Sequence, residues 1–160
     1  KTVDDLKSVT GNITVKAVYT ANEYVVIFMN GEEKVGEVSY RYGATEIQAP
    51  AVPEVAGKTG RWSDYDLTLA DNQTVLAVYE SKTFTITFDY GDSGFVGDKT
   101  MTVTYDENFT LPENQSEWEF DGVAWIIVGT NQELTEGKYT IDGDITVKFT
   151  FTEKHKYFGV

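Results

Sequence analysis

Apolar and polar side chains alternate along much of this chain. In "GNITVKAVYT" (residues 11–20), Ile13, Val15, Ala17 and Tyr19 share one face of an extended strand, with Thr14, Lys16 and Thr20 opposite. In "DGDITVKFTF" (142–151), Ile145, Val147, Phe149 and Phe151 oppose Thr146, Lys148 and Thr150. A period of two built from β-branched and aromatic residues marks a half-buried strand. "FTITF" (84–88) and "MTVTY" (101–105) alternate likewise, while "YVVIFM" (24–29) is apolar on both faces, as a covered central strand would be. "NGEE" after that run predicts a hairpin turn, and "DG" at 121–122 and 142–143, with Pro50, Pro53 and Pro112, punctuates the rest. No amphipathic helical stretch of about ten residues or more appears; "VDDLKSV" (3–9) could make one helical turn at most. The predicted class is mainly β (α+β with little helix).

The alternating phrase recurs: "DNQTVLAVYE" (71–80) repeats 11–20, and 142–151 repeats it again. Self-similarity extends around it. From Tyr24 the chain runs "YVVIF", a Gly-bearing turn, "EVSYRYGATEIQAP", Trp62, "DLTL" and "QTVLAVYE"; from Phe84 it runs "FTITF", a Gly-rich turn, "MTVTYDENFTLP", Trp125, "QELT" and "DITVKFTF". Phe28 corresponds to Phe88, Tyr42 to Tyr105, Pro50 to Pro112, Trp62 to Trp125 and Thr74 to Thr146. The expected organisation is a closing strand of a preceding repeat (1–21), a first module (22–81), a second module (82–153) and a tail (154–160). Residues 1–20 are expected to pack, because "NITVKAVY" is too apolar to remain solvated.

The succession "YVVIF", "VSYRYG", "APAVP", "GRW", "DLTL" and "TVLAVY" (24–79) resembles the Listeria–Bacteroides repeat and the related internalin B-repeat. Residues 84–151 match more loosely, departing by the inserted "GDSGFVGDKT" and by "VAWIIVG"; residues 1–20 match only the tail of the pattern. The resemblance implies tandem small β-grasp-like modules of a bacterial cell-surface or secreted protein, serving as spacers, stalks or binding arms. It implies no catalytic residues.

Composition narrows the partners. The chain has 160 residues, no cysteine, 13 basic and 26 acidic residues and a net charge of −13. That excess of negative charge opposes nucleic acid, whose phosphates require Lys and Arg, and opposes anionic lipid. Without cysteine there are no disulfides, thiolate metal sites or thiol nucleophiles; this fits a cytosolic protein and equally an exported protein of Gram-positive bacteria. No apolar stretch approaches the roughly 20 residues of a spanning helix. Aromatic residues, 14% of the chain, can build its cores.

Candidate chemistry is sparse. His155, the one histidine, lies in "EKHKYFGV", expected to be a solvated, frayed end. Asp89, Asp92 and Asp98 surround a loop (89–98) that could offer oxygens to calcium, but Asp, Gly and Ser are ordinary turn residues. Asp142 and Asp144 flank a turn glycine. Lys16 and Lys148 fall on polar faces, away from the apolar core that an isopeptide bond requires. Asn12, Asn72, Asn108 and Asn114 open N-x-[ST] sequons. Trp62 and Trp125 hold equivalent repeat positions, as core residues would. Trp118 has no counterpart and, with Tyr40 and Tyr42, is the candidate ligand contact. The expected function is non-enzymatic: a spacer or adhesive stalk without cofactor or metal, contacting adjacent repeats and a host or cell-surface protein or glycan. The alternative is a carbohydrate-binding accessory module of an exported glycan-degrading enzyme or adhesin, which needs aromatics exposed and coplanar.

Overall fold

A computed structural model describes residues 10–156. Among these residues the chain is all β, with no helix. The alternating runs become two four-stranded sheets. The first contains β1 (Glu23–Asn30), β2 (Glu33–Arg41), β3 (Lys58–Trp62) and β4 (Gln73–Ser81), in the order β2-β1-β4-β3. The second is built from β5 (Thr83–Asp89), β6 (Thr100–Thr104), β9 (Ala124–Ile127) and β11 (Ile145–Thr150), in the order β6-β5-β11-β9. Two short ladders complete it: β7 (Asn108–Phe109) with β10 (Gly137–Lys138), and β8 (Trp118–Asp121) with β12 (Glu153–Lys156). In each sheet the inner pair is parallel and the outer strands are antiparallel.

The two sheets agree residue by residue. Phe28 stands beside Val75 and Ile27 beside Thr74; Phe88 stands beside Val147 and Thr87 beside Thr146. Trp62 faces Ala77 as Trp125 faces Phe149. Each Trp meets its Phe edge-on, at 5.0 Å for Phe28–Trp62 and 5.4 Å for Phe88–Trp125. Caps match as well. The Val25 amide donates to Asn72 Oδ1 (2.9 Å) and the Thr85 amide to Asp144 Oδ1 (2.8 Å), so one side chain before each inner strand satisfies an amide of its parallel neighbour. "NG" closes the β1–β2 hairpin with Gly31 at φ 61°.

Each sheet covers its own core. Val26, Phe28, Tyr40, Leu67 and Val75 form the first, with Trp62 and Tyr65 packed against it. Ile86, Phe88, Val103, Phe109, Trp125, Ile127, Leu134, Tyr139, Val147 and Phe149 form the second. The second is larger because the loop "GDSGFVGD" inserts Phe95 between Tyr90 (4.7 Å) and Phe149 (4.7 Å), with Trp125 edge-on at 5.5 Å. Aromatic pairs of this kind add about 0.5–1.5 kcal/mol beyond area burial.

Two expectations are corrected. Residues 10–20 do not pack: "GNITVKAVYT" forms no strand, and Val15, Val18 and Tyr19 are 66%, 91% and 88% exposed. A strand needs a neighbour for its backbone groups, and no strand of either sheet pairs with residues 10–20. Nor is His155 in a frayed end, because β12 pairs with β8 over Glu153–Lys156. The helical turn expected at 3–9 lies outside the described residues, as do residues 157–160 of the tail.

Candidate functional site

The three candidate contact residues do not form one surface. Tyr40 is in the first core, 4% exposed. Its hydroxyl donates toward the Leu69 and Asp71 carbonyls (2.8 and 2.7 Å) and accepts from Gln73 Nε2 (2.8 Å). Tyr40 is therefore corrected to a core residue: a buried phenol must satisfy its hydroxyl, and this one closes the loop before β4. Tyr42 is 66% exposed. Trp118 is half-buried on β8. Lys154 Nζ sits 4.2 Å from its ring centroid and Lys156 Nζ 5.4 Å. Lys154 Nζ also donates to the Ser93 carbonyl, and a Cβ on Gly94 would lie 3.1 Å from Trp118 Cδ1. Lys154 thus ties the 90s loop to the β8–β12 ladder through the Ser93 carbonyl while lying over the Trp118 ring, and the flat apolar face that a sugar would stack on carries ammonium groups.

The other candidates resolve into local structure. His155 Nε2 is 2.9 Å from Glu119, directly across the ladder, and Nδ1 is 3.7 Å from Asp121; all three are about half exposed. Asp89 Oδ1 accepts from the Gly91 amide (3.0 Å), and the Tyr90 hydroxyl donates to the Asp98 carbonyl. Burial, reinforced by Asp98, raises the Tyr90 hydroxyl above its usual pKa. Among the described residues no group of three His, Cys, Asp or Glu converges on a point where a metal could sit. Lys16 and Lys148 are exposed. Asn114 Oδ1 accepts from the Ser116 amide (3.0 Å). Asp66 accepts from the Thr68 hydroxyl (2.6 Å) and amide (2.8 Å), which together hold its carboxyl below the usual range.

The arrangement that does draw residues together is the junction between the sheets. Lys82 separates β4 from β5. Its amide donates to the Gly57 carbonyl of the first unit (2.9 Å), and its carbonyl accepts from the Tyr105 amide of the second (2.9 Å). Gly57 adopts φ 67°, and a Cβ there would lie 2.1 Å from Tyr105 Cδ2. The Tyr105 ring therefore fills the space a side chain at Gly57 would need. Lys82 Nζ approaches Asp142 at 3.6 Å. Beside this contact, a shallow cleft of about 370 Å³ runs along Val52–Ala56 and Lys58–Gly60 to Lys82 and Asp142.

Sequence reasoning missed Gly57 and Phe95. A glycine in "VAGKTG" and a phenylalanine in "GDSGFVGD" read as turn composition, and only the Tyr42–Tyr105 correspondence hinted that position 105 mattered. The chain matches no protein-family model, no curated protein and no solved structure.

Proposed function

We propose that the chain is a non-enzymatic structural region of a larger bacterial surface or exported protein, in which small β modules are joined end to end as a spacer or adhesive stalk. The observation carrying this reading is the one-residue junction. Both backbone groups of Lys82 are spent on the two flanking units, and an aromatic ring of one sits on a bare glycine of the other. A flexible linker would leave the units free to reorient; this one holds them in one geometry. The equal strand order and register of the sheets support the modular reading. The net charge of −13 supports solubility for an extended array, with a neighbouring repeat and a host or cell-surface protein or glycan as partners. The resemblance to the Listeria–Bacteroides repeat belongs to the same proposal. ¹⁵N relaxation on the full chain tests it: amides of both sheets should fit a single elongated rotational diffusion tensor. Separate correlation times for the two sheets would overturn the rigid spacer.

A further inference from the structure

We propose that Tyr42 is the docking residue for another copy of the module on the N-terminal side of β1, received by the contact that Tyr105 makes with Gly57. The inference rests on the modular reading above and adds its joining chemistry.

Register places the two tyrosines in the same position. Tyr24 faces Tyr40 as Phe84 faces Val103, and Glu23 faces Arg41 as Thr83 faces Thr104; Tyr42 and Tyr105 follow on their strands. The next amides agree: Gly43 donates to the Leu67 carbonyl (3.1 Å) and Asp106 to the Tyr139 carbonyl (2.7 Å). Yet their surroundings differ. Tyr105 is half-buried against the unit before it, whereas Tyr42 is 66% exposed. Asn22 stands where Lys82 stands at the observed junction.

A second observation falls at the same end of the fold. Residues 11–20 repeat the phrase of β4. In β4, Val75 is wholly buried, and the Tyr79 hydroxyl donates to the Pro53 carbonyl (2.9 Å). Their counterparts Val15 and Tyr19 are 66% and 88% exposed. An apolar alternating segment lacking a sheet and a docking tyrosine lacking its glycine are what one missing neighbour leaves behind. The occupant this defines is a module of the same kind, presenting a left-handed glycine at the turn into its third strand. A residue with a side chain at that turn would collide with the ring, so the chemistry selects glycine.

The test extends the full chain by placing a second copy of residues 22–81, itself carrying Tyr42→Phe so that only the original Tyr42 is read, ahead of Asn22, in place of residues 1–21. Tyrosine nitration by tetranitromethane, mapped by peptide mass, reads the seat. In the 160-residue chain Tyr42 should react readily while Tyr105 is protected; in the extended chain Tyr42 should lose its reactivity and match Tyr105. Tyr42→Ala should leave the melting temperature of the 160-residue chain unchanged and lower that of the extended chain. A Tyr42 equally reactive in both chains would overturn the proposal, and so would an added copy that stays unfolded. Tyr105→Ala in the 160-residue chain is the second arm: it should split unfolding into two transitions, and an unchanged single transition would remove the proposal's physical basis. Rigid coupling of the two existing units with a free Tyr42 in the extended chain would refute this inference and leave the spacer reading standing.

Discussion

Replacing Gly57 with alanine measures the junction directly. Two costs arise. The backbone at φ 67° is left-handed, which disfavours an L side chain by about 1–2 kcal/mol. The new Cβ would also lie 2.1 Å from a Tyr105 ring carbon, so the ring must move or the units must part. Overpacking of this kind costs about 1–3 kcal/mol. Gly31 separates the two terms: its φ is 61°, but nothing lies within 4 Å of the position a Cβ would take. Gly31→Ala should therefore carry only the backbone cost. The lost entropy of the unfolded chain is common to both alanines and cancels in the difference. Gly57→Ala should exceed Gly31→Ala by about 1–3 kcal/mol, at roughly 2–4 °C of melting temperature per kcal/mol for a chain of this length. Near-UV circular dichroism on heating reports it through the aromatic cores. Adding Tyr105→Ala to Gly57→Ala should cost less than the sum of the single changes, because the collision disappears with the ring. Equal destabilisation by Gly57→Ala and Gly31→Ala, or strict additivity with Tyr105→Ala, would refute the seat.

The remaining predictions concern the caps, the buried phenols and Trp118. Asn72→Ala and Asp144→Ala each strip the acceptor from one strand amide, Val25 or Thr85; each should cost about 0.5–1.5 kcal/mol in urea titrations, and a large effect for one with none for the other would break the equivalence of the units. Burial, then Asp144, raises the Tyr139 hydroxyl above its ordinary 10.0, and burial with Asp98 does the same for Tyr90. The unfolded chain then releases protons that the folded chain retains, so stability is fully present below about pH 10 and falls as pH rises through the raised values. Urea midpoints between about pH 9 and 12 should decline in the parent and decline less in Tyr139→Phe; a flat parent profile would remove the basis for this. On a glycan array the chain should show no binding that Trp118→Ala abolishes, and a specific signal lost in that variant would move the protein to the carbohydrate-binding class.

The strands were legible wherever a local pattern coincides with a local need. "QTVLAVYE" and "ITVKFT" alternate, and both became inner strands at matching register. Trp62 and Trp125 hold equivalent repeat positions, as core residues would; Trp125 is buried in the second core, while Trp62 is half-buried against the first, each edge-on to its Phe. The same alternation misled at 11–20, because strand formation is non-local: β4 has β1 and β3 beside it, and residues 11–20 have neither. The protection of Trp118 was illegible for a related reason. Its lysines, Lys154 and Lys156, come from β12, which only the β8–β12 register brings alongside. Phe95 was hidden by its surroundings, since Gly, Asp and Ser advertise a turn and conceal one anchoring ring.

Tyr40 shows why column-by-column comparison of the units falls short. Its position in the second unit is Val103, which has no hydroxyl. Across the core, Leu67 in the first unit corresponds to Tyr139 in the second, as the Gly43 and Asp106 amides that bind their carbonyls establish. Counted back from Thr74 and Thr146, Asp71 and Gly143 also coincide. The Tyr40 hydroxyl donates to the Asp71 carbonyl and the Tyr139 hydroxyl to the Gly143 carbonyl, both at 2.7 Å. One phenol therefore closes the same turn in each unit, arriving from β2 in the first and from the segment after β10 in the second. The large and small partners exchange places, which keeps the core filled. Gln73 follows suit: its amide donates to Tyr40, and its counterpart Ile145 has nothing to donate. Tyr40→Val alone should cost about 2–5 kcal/mol, through the cavity and the lost hydrogen bonds. Tyr40→Val with Leu67→Tyr and Gln73→Ile rebuilds the second unit's solution inside the first and should recover most of that loss in urea titrations. A triple variant no more stable than Tyr40→Val would show that the hydroxyl must come from β2, and that the two units close their turns by unrelated means.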